Sequence, residues 1–150
     1  MRYLTSGIML LATVTLSFAV PFAGEWHIES VDIGGDVGEH TSIALDPSNY
    51  PHVSYNDKSS HDLKYAHQDS YGWHLESVDT GGDVGEYTSI VLDSSNYPHI
   101  SYYDKSNHDL KYAYQDNYGW HIESVDTGGD VGKYTSIALD SSNYPHISYN

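Results

Sequence analysis

The chain repeats itself every 47 residues. Trp26, Trp73 and Trp120 stand at that interval, and the run SNYPHISY at 95–102 returns unchanged at 142–149, with SNYPHVSY at 48–55. No insertion breaks the register, and only ten positions differ between residues 26–72 and 73–119. A fixed period of this size decides architecture before any single motif does. One supersecondary unit cannot bury its apolar face alone, so it must stack on its neighbour.

Within the second copy, four runs rich in β-formers are bounded by Gly, Pro, Asn, Asp or Ser: TSIVLD (88–93), PHISYYD (98–104), LKYAYQD (110–116) and WHIESVD (120–126). Apolar residues alternate in each, and nothing has helical period. Pro51, Pro98 and Pro145 open their runs, where a missing N–H does no harm. The expected fold is all-β: a β-propeller of four-stranded antiparallel blades, one per 47-residue repeat, incomplete in this chain. TSIALD, with its small alternate residues, suits the strand nearest a propeller axis, and the tryptophan run becomes the outermost. The expected parts are an outer strand at 26–32, blades at 41–79 and 88–126, and a partial blade at 135–150, all within a repeat domain at 24–150. The GGDVG and DKSNHD loops should emerge on one face, and SSNYP and QDNYG on the other.

Residues 1–23 read as an export signal, with Arg2, an apolar run at 7–20, and small residues for cleavage at Ser17-Phe18-Ala19 or the Ala23-Gly24 junction. The run is shorter than the roughly 20 apolar residues of a bilayer span, so a cleaved leader is expected rather than an anchor. The expected location is secreted or at the cell surface. The absence of cysteine excludes a disulfide framework and a lipidated cysteine. The net charge is −15, and Arg2, the only arginine, would leave with the leader. Such a surface repels phosphate backbones and anionic lipid, which argues against nucleic acid and acidic membranes as partners.

The pattern TSIALD, PHISYYD, LKYA, WHIESVD resembles the repeats of secreted bacterial and archaeal β-propellers of the sialidase, or Asp-box, superfamily. The turn Gln115-Asp116-Asn117-Tyr118-Gly119-Trp120 has the Asp, Gly and Trp of an Asp-box at a different spacing. The resemblance implies the propeller scaffold, which hosts many activities. Sialidases of this kind grip a substrate carboxylate with clustered arginines, and no arginine stands beyond Arg2.

Any other hydrolase would need two carboxylates in different environments. Near-identical repeats give near-identical environments, so no catalytic residue is assigned. The pairs His61-Asp62 and His108-Asp109 lack a nucleophile elbow and read as polar loops. Histidines at His52, His99 and His146 and after each tryptophan match no zinc spacing. The loops carrying Asp32 and Asp36, Asp79 and Asp83, and Asp126 and Asp130 offer hard oxygen around glycines. They read either as weak calcium sites or as tight loops that need their glycines. Lys133 replaces the Glu39 and Glu86 of the other copies, so that carboxylate is no general ligand. No other cofactor is expected.

Tyrosine is the informative excess, with 15 against two phenylalanines. Tyr55, Tyr65, Tyr102 and Tyr112 fall within strands and read as core between blades, each hydroxyl needing a partner. Tyr50, Tyr97 and Tyr144 in one turn, and Tyr71 and Tyr118 in another, should share a face. They read either as a repeated shallow surface on which sugar rings stack or as packing that fixes the turns. The expected function is therefore an exported, non-enzymatic module for extracellular binding of a glycan or protein, or for surface display. The alternative is a fragment of a secreted glycan-cleaving enzyme, a hydrolase or lyase. A ring needs about four or more blades, so the chain is expected either to belong to a longer product or to self-associate to complete a ring.

Overall fold

Each repeat folds as an antiparallel meander. The structure is a computed structural model that describes residues 27–150, so the expected leader at 1–23 and Trp26 lie outside the described residues. The first sheet is β1 (Val37–Leu45), β2 (Pro51–Asp57), β3 (Asp62–Asp69) and β4 (Gly72–Asp79), hydrogen-bonded in that order. The second repeats it 47 residues on as β5 (Val84–Leu92), β6 (Pro98–Asp104), β7 (Asp109–Asp116) and β8 (Gly119–Asp126). The third has β9 (Ser136–Leu139) and β10 (Pro145–Ser148). No helix occurs among the described residues, and none there is long and apolar enough to cross a membrane.

The sheets stack in chain order, closest through their first strands, with β1 beside β5 and β5 beside β9. They are blade-like and do not close into a ring among the described residues. The core lies between the first and second sheets, where Leu63 and Tyr65 meet Val84, Ile90, Ile100, Tyr102 and Ala113. Fully burying each Leu, Val or Ile side chain contributes about 1.5–3 kcal/mol. Tyr55, Tyr65, Tyr102 and Tyr112, the tyrosines expected in the core, are buried with satisfied hydroxyls: Tyr55 by Asp32, Tyr65 by His52, Tyr102 by Asp79 and Tyr112 by His99.

Two elements differ from the sequence reading. The first strand of each full sheet starts four residues before the Thr-Ser-Ile run, because part of the GGDVG loop is itself paired, with register shifts on either side of Glu39 and Glu86. Gly85 makes this possible: its φ is +88°, and a Cβ there would lie 2.7 Å from Leu63 Cα of the first sheet.

Residues 27–32, expected as an outer strand, are not hydrogen-bonded into any sheet, since β3 and β7 are already paired with β4 and β8. The segment nonetheless sits as an outer strand of a preceding sheet would. Glu29 accepts the Trp73 indole N–H at 3.2 Å, as Glu76 accepts that of Trp120 at 2.9 Å. Asp32 accepts from Tyr55 at 2.8 Å and Lys64 at 3.3 Å, as Asp79 accepts from Tyr102 at 2.7 Å and Lys111 at 2.5 Å.

Candidate functional site

The turns between first and second strands and between third and fourth strands share one edge of each sheet, so the five singled-out tyrosines form one rim. In the turn that ends with Tyr50, the Asp46 carboxylate accepts the backbone N–H groups of Ser48 and Tyr50, both at 2.8 Å. Asn49 takes the left-handed conformation, φ 66°, that asparagine tolerates best among non-glycine residues. Asp93 and Asp140 build the same turn around Tyr97 and Tyr144. In the other turn, Asp69 and Asp116 hold the backbone of Tyr71 and Tyr118 at 2.7 Å. Tyr71 and Tyr118 are left 92% and 93% exposed, whereas Tyr50 and Tyr97 are half-buried and Tyr144 is exposed.

The copies of the rim are not equal, and two substitutions explain why. The Tyr97 hydroxyl donates to Asn117 Oδ1, tying the two turns of the second sheet together, and Ser70 stands at the matching place in the first. Asn143 bridges to the preceding sheet, donating to Ser94 Oγ at 2.9 Å and accepting the Ser94 N–H at 3.3 Å. Pro47 occupies the matching place in the first copy and has neither group. The second sheet therefore carries the most firmly braced rim.

Behind the rim, rings stack in register across three strands. His52, His67 and His74 lie 5.8 and 4.9 Å apart, and His99, Tyr114 and His121 lie 5.9 and 4.8 Å apart. The sequence reading missed this ladder, although a ring at the same alternate position of each run was its signal. Trp120 adds a contact between sheets, edge-on to Tyr65 at 5.3 Å with its N–H on Glu76.

The aspartates weighed for calcium gather at the opposite edge, in the connections between sheets. Asp32, Asp79 and Asp126 each accept a glycine N–H of their own loop and a tyrosine hydroxyl from the next sheet. Lys58 lies 3.0 Å from Glu39 and 3.9 Å from Asp36, and Lys105 lies 2.9 Å from Glu86 and 3.3 Å from Asp83. In the third copy Lys133 bonds Asp130 at 2.7 Å. Among the described residues, no three His, Cys, Asp or Glu side chains are grouped to hold a metal ion.

With that geometry in view, the fold has a counterpart among solved structures. A fucose lectin from Kordia zhangzhouensis, determined in complex with methyl-fucoside, superposes with a TM-score of 0.50 at 19% identity, covering 73% of this chain and 81% of that one. The chain shares an all-β fold with that structure. No protein-family model matches it, and no curated protein does either.

Burial holds the imidazoles of His52 and His99 below their ordinary value; His67 adds to the effect at His52, and the contact with Asp93 only partly offsets it at His99. The unfolded chain therefore binds more protons than the folded one once pH falls below the free imidazole value of about 6.5. Stability from this source is complete above that pH and declines as pH falls towards the folded values. Melting temperature should drop between pH 7 and pH 5, and a His52→Gln/His99→Gln variant should show a flatter profile over that range. An unchanged slope in the variant would remove these two residues as the cause.

Proposed function

We propose that this chain is part of an exported β-propeller that binds glycans without cleaving them, through its turn tyrosines. The carrying observation is the rim of the second sheet, where the exposed Tyr118 follows directly on Asn117, whose side chain is linked to Tyr97. Flat aromatic surface next to hydrogen-bonding groups is what a sugar ring stacks on, and the rim repeats with the 47-residue period. The all-β lectin-like fold supports the reading. In this reading residues 1–23 are a cleaved leader, residues 24–150 are propeller repeats, and the module works outside the cell.

A glycan-binding screen run beside a hydrolysis assay on the same polymers tests it, with binding and no turnover expected. Turnover would transfer the protein to the enzyme class. In the Tyr97→Ala/Tyr118→Ala variant, two lost aromatic contacts of about 1 kcal/mol each should weaken binding roughly thirtyfold. The far-UV spectrum should stay unchanged, because Tyr118 contributes no core. Unaltered affinity would remove the site from this rim.

A further inference from the structure

We infer that the two outer faces of the sheet stack are the two halves of one interface, and that a second copy of this chain docks across it, the third sheet of one molecule against the first sheet of the next. This inference is independent of glycan binding. The template lies inside the chain, where the same interface is made between the first and second sheets and again, in part, between the second and third.

In the internal interfaces the later sheet packs a glycine onto the earlier one. A Cβ on Gly85 or Gly132 would meet Leu63 or Leu110 Cα at 2.7 Å, while one on Gly38 would meet no described residue within 4 Å. Around Gly38 lies a hollow of about 210 Å³ lined by Val31, Val37, Thr41, Val53 and Tyr55 among others. Their counterparts in the second sheet are covered. Ile43 is 64% exposed where Ile90 is 7%, and Val37 is half-buried where Val84 is fully buried.

The earlier sheet of each interface supplies hydroxyls. Ser42 accepts the Ile90 N–H at 3.2 Å, and Ser89 accepts that of Ile137 at 3.3 Å. Ser54 bonds the Thr88 hydroxyl at 2.8 Å, and Ser101 bonds that of Thr135 at 2.8 Å. On the third sheet the matching Ser136 and Ser148 are exposed, with Ala138 and His146, around a shallow hollow. On the first sheet Thr41 and Ile43, the groups they would meet, are exposed as well. Among the described residues, each molecule thus carries an uncovered donor face at one end and an uncovered acceptor face at the other. Such a contact is heterologous: copies join head to tail and either close a ring or extend.

The expressed mature chain should sediment above monomer mass at micromolar concentration. Ile43→Arg closes the first-sheet face and Ala138→Arg the third-sheet face, both at exposed positions, so each variant should be a folded monomer with native near-UV dichroism. Mixed together they should form a one-to-one dimer, because each retains the face the other has lost. A monomeric wild type, as expected if further repeats of a longer chain or another protein cover these faces, would overturn the inference. So would variants that still assemble, or a mixture that stays monomeric.

Discussion

Replacing Asp79 by alanine should cost about 3–5 kcal/mol, the usual penalty for removing one partner of a buried ion pair. Asp79 is 5% exposed and sits at the end of β4, from where it reaches across to the second sheet. It accepts from the Tyr102 hydroxyl and from Lys111; in the variant the buried Tyr102 loses its partner, and the part-buried Lys111 keeps only Asp104, at 3.9 Å. Asp126→Ala is the control, since its outer oxygen meets only the exposed Tyr149. That loss should be within about 1 kcal/mol. Burial pushes the Asp79 carboxyl up, but Lys111, Tyr102 and the Gly81 N–H outweigh it and hold the group below its ordinary range. Its contribution is therefore complete above the unfolded carboxylate value of about 3.9 and is lost as pH falls through the folded value. Urea titrations of wild type and variant should differ fully at pH 7 and converge in strong acid. A constant gap across that range would show that charge is not what Asp79 contributes.

The second large effect is a contrast between two glycines in the same motif. Gly85→Ala and Gly38→Ala both place a side chain at positive φ, +88° and +89°, at about 1–3 kcal/mol each. Only at Gly85 does the new methyl collide with backbone, Leu63 Cα at 2.7 Å, so the sheets must separate there at an additional cost of about 1–3 kcal/mol. The unfolding midpoint should fall clearly further for Gly85→Ala than for Gly38→Ala. Equal losses would mean that the close approach of β5 to β3 is not maintained in solution.

What the sequence disclosed follows from which physical signals are local. Alternation such as Ile100 and Tyr102 marks a strand and its faces within a few residues, so sheet order and the buried tyrosines were legible. The early starts of β1 and β5 were not. His40 and Tyr87 there adopt φ of 52° and 54°, and the flanking glycines are also at positive φ, so a bulged strand carries the composition of a loop. The rim was legible as turn chemistry, but its unequal bracing was not, because Asn143 and Ser94 stand 49 residues apart and meet only once sheets stack. The Trp120–Glu76 contact stayed hidden for the same reason: 44 residues separate the pair.

The hydrogen bonds that tie sheet to sheet have a further consequence for how the molecule is made. None of the side-chain bonds among the described residues spans more than 49 residues. Each sheet can therefore dock as soon as the next leaves the ribosome, and folding proceeds from the N-terminus without waiting for distant chain. The same near-identity of faces means that a sheet from a neighbouring nascent chain fits as well as the correct one. The tethered neighbour wins because a short linker holds it at an effective concentration of about millimolar. Crowding many unfinished chains together, as in strong overexpression or concentrated refolding, erodes that advantage and should yield tangled, sheet-swapped aggregates whose individual contacts are all native.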